Sequence, residues 1–187
     1  CIVTRIGIAR FIDLYTPRQA GAIVAFQDAI HLVRKRLGGQ KTALDDAVET
    51  VLHLALDRLV MQNTSLSRWD VSRMGIKGLF SKQALQIVWD FAEANPVGPS
   101  MVTWDSALVW IEKVLEKNLV LDHAGRVERA DAENVPLPSD SVDVVFTDPP
   151  YFAAIPYADL SDVFYVWLKR GLGGRDAAYF REVLAEK

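Results

Sequence analysis

Apolar residues recur at helical spacing along most of the first 120 positions. Thr16-Pro17-Arg18-Gln19 forms a capping box with proline at the first helical position. Ile23, Phe26, Ile30, Val33 and Leu37 follow on one face, and Gly38-Gly39 is the expected stop. A second helix begins near Thr42 and carries Leu44, Val48, Val51, Leu52, Ala55, Leu56 and Leu59 on a stripe broad enough for several partners. The stretch 63–78 is polar, contains Gly75 and Gly78, and reads as a long excursion. Ser81 is placed to cap a third helix bearing Leu85, Val88, Trp89 and Ala92, which Asn95-Pro96 ends. Trp104, Leu108, Ile111 and Leu115 mark a fourth. Its tryptophans, with Trp69 and Trp89, suit a core better than a base-stacking platform.

Beyond residue 120 the period changes. Arg126 to Ala130 reads as a short strand. Val142 to Phe146 is a continuous apolar run of the kind buried on both faces of a parallel sheet. Between them, 131–138 forms a tight crossover loop. Asp159 to Arg170 returns to helix, with Leu160, Phe164, Trp167 and Leu168 inward. Gly171 to Gly174 follows a helix instead of preceding one, so it is a stop and not a phosphate loop. The expected fold class is helix-rich α/β: a mainly helical region over 1–120, then a sheet-containing portion over 121–187.

Composition narrows the function classes. Half of the 187 residues are hydrophobic, enough for one real core. The chain begins at Cys1 and ends in charged, helix-like sequence, so we expect a piece of a longer protein. Net charge is −3 with no dense basic run, which argues against an electrostatic DNA-binding surface in these residues. Arg34, Lys35, Arg36 and Lys41 read as a solvated face at a helix end. A single cysteine excludes an internal disulfide and a cysteine zinc site. His31, His53 and His123 stand apart as surface or interface residues, and no metal site is expected. No membrane span or signal peptide is recognisable, and a reducing cytoplasm fits best.

The chemistry concentrates in Asp148-Pro149-Pro150-Tyr151, directly after the apolar run. An aromatic amino group is a poor nucleophile because its lone pair is delocalised into the ring. Two acceptors beside its N–H bonds draw the nitrogen towards tetrahedral geometry and steady the developing positive charge. The Asp148 carboxylate and the Pro149 carbonyl supply such a pair. The two prolines fix two φ angles and remove two N–H donors, and Tyr151 can stack on a base flipped from a duplex. The competing reading is a rigid turn with a solvated aspartate. The tetrapeptide after an apolar strand favours methyl transfer to an exocyclic amine, because parallel sheets bind ligands beyond the carboxyl ends of their strands.

Residues 147–170, from Thr147 through Asp148-Pro149-Pro150-Tyr151 to Arg170, closely resemble a family of large prokaryotic adenine-specific DNA methylases that contain a zinc ribbon. Asp13 to Gln19, Asn63 to Trp69 and Gln83 to Pro96 are similar to the same family, so the likeness runs along nearly the whole chain. It implies a class I, Rossmann-like methyltransferase core that uses S-adenosylmethionine and acts on DNA. It further implies Asp148, Pro149, Pro150 and Tyr151 as the target-amine motif. Asp131, with its neighbour Ala132, would lie near the cofactor's adenine, and Thr16 and Pro17 near its methionine end. The chain departs from the family in lacking the glycine-rich cofactor loop and the zinc-ribbon cysteines. It also has Phe152-Ala153 where Tyr-Asp is usual, which removes a second acid there without touching the role of Asp148. With the cofactor loop missing, the fragment alone is expected to bind cofactor poorly and to lack turnover.

The reading is therefore transfer of methyl to N6 of adenine in DNA, with N4 of cytosine or an RNA substrate sharing the same acceptor geometry. The alternative is a helical scaffold or partner-binding module, Thr16 to Asn118, with a non-catalytic methylase core. Oligomeric state is open.

Overall fold

The computed structural model describes residues 7–37, 42–80, 84–118, 123, 125–151 and 154–182. Among them are four helices, α1 (Pro17–Leu37), α2 (Ala43–Gln62), α3 (Trp104–Asn118) and α4 (Tyr157–Leu172). Two three-residue strands, β1 (Arg68–Asp70) and β2 (Gly75–Lys77), pair antiparallel with Trp69 opposite Ile76. The chain is thus helix-rich α/β.

The helix starts follow their local chemistry. Thr16 N donates to Gln19 Oε1 at 2.9 Å and Gln19 N to Thr16 Oγ1 at 3.2 Å, the expected reciprocal cap of α1. Thr42 and Asp45 cap α2 in the same way, each at 3.1 Å. Asp45 and Asp46 also place negative charge in the first turn, where the helix dipole favours it. α4 ends with Gly173 as its C-cap, within the glycine-rich stretch Gly171 to Gly174 that predicts a stop.

α2 is the hub, touching α1, α3 and α4. Leu56, Leu59 and Val60 of α2 meet Ile23 and Ile30 of α1, Val163 and Trp167 of α4, and Leu14, Leu66, Leu79 and Val102 from connecting segments. Each such side chain withdrawn from water contributes about 1.5–3 kcal/mol of transfer free energy. Directional contacts fix the packing. Trp167 meets Tyr15 edge-on at 5.5 Å, and its Nε1 donates to the Tyr15 hydroxyl at 3.2 Å. Gln27 Nε2 donates to the Trp167 carbonyl at 2.7 Å. α4 lies beyond the boundary expected near residue 120, yet it packs into the helical core.

A polar clasp closes the end of this body. Glu49, almost buried on α2, faces Arg175 at 3.0 Å, Arg34 at 3.8 Å and His31 at 3.5 Å. Arg175 also donates to the Asp46 carbonyl and to Thr50 Oγ1. Arg34, expected on a solvated face, is instead largely covered and paired with Asp46 as well. His53, expected at a surface or interface, is 1% exposed between α2 and Gly171 of α4. Its Nδ1 is 2.9 Å from the Glu49 carbonyl, and burial holds its pKa below the usual imidazole range.

Several expectations are corrected. No Rossmann-like sheet forms among the described residues. Arg126–Ala130 and Val142–Phe146 are not strands, and a lone antiparallel bridge joins Asp131 and Asn134. A central parallel strand needs neighbours on both edges for its N–H and C=O groups, and no described strand flanks this run. Val144 is consequently 80% and Phe146 95% exposed. Residues 84–95 are not helical either. Glu93 instead straps this segment across the start of α1, accepting from Thr16 Oγ1 at 2.6 Å and from Arg18 Nε at 2.9 Å. Trp89 is 99% exposed, and Trp69 and Trp110 are about half-exposed, so of these four tryptophans the expected core role holds for Trp104, stacked on Phe26 at 5.0 Å. The 63–78 excursion contains the β1–β2 hairpin. The stop at Gly38-Gly39, the basic Lys41, the cap at Ser81 and the pair Phe152-Ala153 lie outside the described residues. Among the described residues no helix is long and apolar enough to cross a membrane.

Candidate functional site

Asp148, Pro149 and Tyr151 line one open concavity of about 450 Å³. Its opposite wall comes from the helical body: Phe80 after the hairpin, then Ile155, Tyr157, Leu160, Ser161 and Phe164 leading into and along α4. The wall is built locally. The Tyr157 N–H reaches the Ile155 carbonyl at 3.0 Å and the Leu160 N–H the Pro156 carbonyl at 3.1 Å, so the helix starts a short step beyond the motif, at Tyr157. Helical spacing then carries Tyr157, Leu160, Ser161 and Phe164 to the same face. Phe80 packs on Phe164 with ring centroids 5.6 Å apart, which anchors the apolar floor to the core.

The opening is chemically two-sided. Tyr151 and Tyr157 present exposed phenol rings, and Asp148 makes no hydrogen bond to a described residue, so its carboxylate is available as an acceptor. A flat aromatic ring fits the apolar floor, and an amino substituent on that ring can meet the Asp148 oxygens. Pro150 belongs to the motif without lining the concavity. The expected open cleft is present, but the parallel strand expected beneath it is not.

The residues expected to hold S-adenosylmethionine do not converge. Thr16 has its N–H and hydroxyl committed to Gln19 and Glu93. Asp131 turns its Oδ1 back onto the Glu133 N–H at 3.0 Å in a local turn that also contains Ala132, and all of it faces solvent. Neither pair lines the concavity. Thr16 and Pro17 are accounted for by the helix cap they build. The described residues therefore do not fit a cradle for that cofactor, and no contact to it is assigned. Among the described residues no group of three or more His, Cys, Asp or Glu side chains could hold a metal ion.

Sequence reasoning found one wall of the concavity and missed the other as a site. Leu160 and Phe164 were expected only to face inward. Tyr157, six residues after Tyr151 at the start of a helix, carries the strongest signal that could have been read. Phe80 carries none, since only the tertiary fold brings it there. Comparison with family models, curated proteins and solved structures returned no match to this chain.

Proposed function

We propose that this chain supplies the acceptor side of a nucleic-acid amino-methyltransferase that uses S-adenosylmethionine and acts by preference on N6 of adenine in DNA. One observation carries the reading: Asp148, Pro149 and Tyr151 border the same open concavity, opposite an aromatic wall. A base swung out of its stack lies on Phe80 and Phe164 and against Tyr151. The amine then donates one N–H to the Asp148 carboxylate and the other to the Pro149 carbonyl. Both acceptors favour the nitrogen that is acquiring positive charge, so they act most strongly in the transition state. N4 of cytosine, in DNA or RNA, presents the same amine to the same oxygens. Donor contacts belong to no described residue, so the mechanism here is confined to orientation of the acceptor.

The test is transfer of labelled methyl from S-adenosylmethionine to plasmid DNA by a full-length protein that contains this chain. Asp148→Ala is expected to lower the rate by roughly a hundredfold or more, as for removal of one preorganised charge-stabilising group. Unchanged transfer in that variant refutes the assignment. A second reading, a helical partner-binding module without catalysis, draws on the compact packing of α1, α2 and α4 apart from the exposed 126–151 segment. It predicts no labelled DNA with any variant, including the unaltered protein.

A further inference from the structure

A second cavity, about 680 Å³, lies between the β1–β2 hairpin and the turn that leads into α3. Nothing in the acceptor reading uses it. Its apolar lining includes Trp69, Met74 and Met101, all exposed although their side chains are of the kind that usually withdraws from water. The wall is closely fitted: a Cβ added at Gly75 would sit 3.4 Å from the Met101 sulfur, and one at Gly98 would meet Asn95 Nδ2 at 2.6 Å.

Met74 reaches the rim with a φ of +47°, a left-handed conformation uncommon for a side chain other than glycine, asparagine or aspartate. The turn that holds it there is pinned by Asp70, whose Oδ1 accepts from the Ser72 N–H at 3.0 Å and its hydroxyl at 2.6 Å. Such backbone conformations persist where surrounding structure over-determines them, and they gather at ligand clamps.

The charges in the lining have one sign. Glu93 and Asp105 are its ionisable side chains, and no lysine, arginine or histidine contributes. Glu93 is fixed by Thr16 and Arg18. Asp105 makes no hydrogen bond or ion pair to a described residue, so among the described residues nothing neutralises this carboxylate at the cavity edge. An anion has little to meet, because three of the amides at the start of α3 are already engaged and the side chain of Asp105 repels it. The Trp104 N–H bonds the Pro96 carbonyl at 2.9 Å, the Thr103 N–H bonds Ser106 Oγ at 3.2 Å and the Ser106 N–H bonds Thr103 Oγ1 at 3.1 Å.

An indole face, two thioethers and a carboxylate make an environment for a cation whose charge is capped by alkyl groups. The ring quadrupole and the carboxylate attract the charge, while methyl groups lose little hydration on entering an apolar wall. Polarizable, unbranched methionines adapt to such a surface. We infer that this cavity binds an alkylated onium group, either on a small free molecule or at the end of a methylated lysine side chain, with Trp69 as its ring face and Asp105 as its counter-charge.

The test is calorimetric titration of the full chain with choline and with dimethylbutanol, its uncharged isostere. Choline is expected to bind roughly tenfold more tightly than the isostere, the size of a cation–π contact. Asp105→Asn and Trp69→Ala should each remove most of that difference. If Trp69→Ala disturbs the helical circular dichroism, Asp105→Asn alone decides, since Asp105 is exposed. Equal affinity for the two compounds, or binding of neither, overturns the inference. A peptide carrying trimethyllysine separates the two sources: tighter binding than choline identifies a protein side chain, and weaker binding identifies a free cation. No methyl transfer enters the readout, so failure here leaves the role of Asp148 standing, and failure there leaves this cavity untouched.

Discussion

Gly171→Ala would place a methyl group where α4 crosses α2. The new Cβ falls far inside contact distance of His53 Nε2 and Cδ2, and 3.1 Å from Cε1. The ring cannot easily retreat, because its Nδ1 is tied to the Glu49 carbonyl at 2.9 Å and its centroid lies 5.6 Å from that of the tilted His31 ring. Alanine in a helix gains about 1 kcal/mol over glycine. Forcing an extra methyl into a closed contact costs about 1–3 kcal/mol, and this site sits at the severe end because the obstacle is a pinned aromatic ring. The net expectation is a loss of roughly 1–2 kcal/mol, or a melting temperature lower by about 2–8 °C for a chain of this size. Urea denaturation followed by circular dichroism measures it. The double variant Gly171→Ala/His53→Ala should recover part of the loss, giving a coupling of at least about 0.5 kcal/mol. A single variant as stable as the parent, or two losses that simply add, would show that the two positions do not press on each other.

Burial alone pushes the Asp57 carboxyl up to about 8, so the folded chain keeps a proton that the unfolded chain releases near pH 4. Stability should therefore fall as pH rises from about 4 to 8, and Asp57→Asn should flatten that decline; an equally steep fall in the variant removes Asp57 as its source. His53 works in the opposite sense, since its lowered pKa means that stability is lost as pH drops below 6.5. Trp167→Ala should cost about 3–5 kcal/mol in denaturant titrations, through lost core volume and the abandoned Tyr15 contact; a loss under about 1 kcal/mol would mean that α4 is not docked as described. Arg175→Ala should cost about 1–3 kcal/mol, because Glu49 is almost buried and loses its closest cation, keeping Arg34 at 3.8 Å and His31 at 3.5 Å, and high salt should not erase the effect.

The parts of the fold legible in the sequence are those whose determinants are local. Thr16 with Gln19, and Thr42 with Asp45, announce their helices because cap and partner are three residues apart. The apolar stripe of α2 was readable for the same reason, and its breadth foretold several neighbours. Residues 84–95 defeated the reading because Leu85 and Trp89 share a helical face only on paper. Leu85 packs on the core, Trp89 points to water, and the Glu93 contacts to Thr16 and Arg18 take the place of helical hydrogen bonds. The run Val142–Phe146 records a need for cover, which a chain cannot meet without strands on either side. Of the candidate site, the tetrapeptide was visible and the wall opposite it was not, because Phe80 arrives from 68 residues away through the tertiary fold.

α4 reaches its place on α1 and α2 only after the chain has traversed 126–151, a stretch exposed to solvent along its length. A protease that nicks this tether would sever the polypeptide without freeing the piece downstream. Trp167 would still hold Tyr15, and Arg175 would still grip Glu49. The two fragments should elute together from a sizing column and separate only in denaturant, which makes the tether covalently necessary for synthesis and energetically dispensable afterwards.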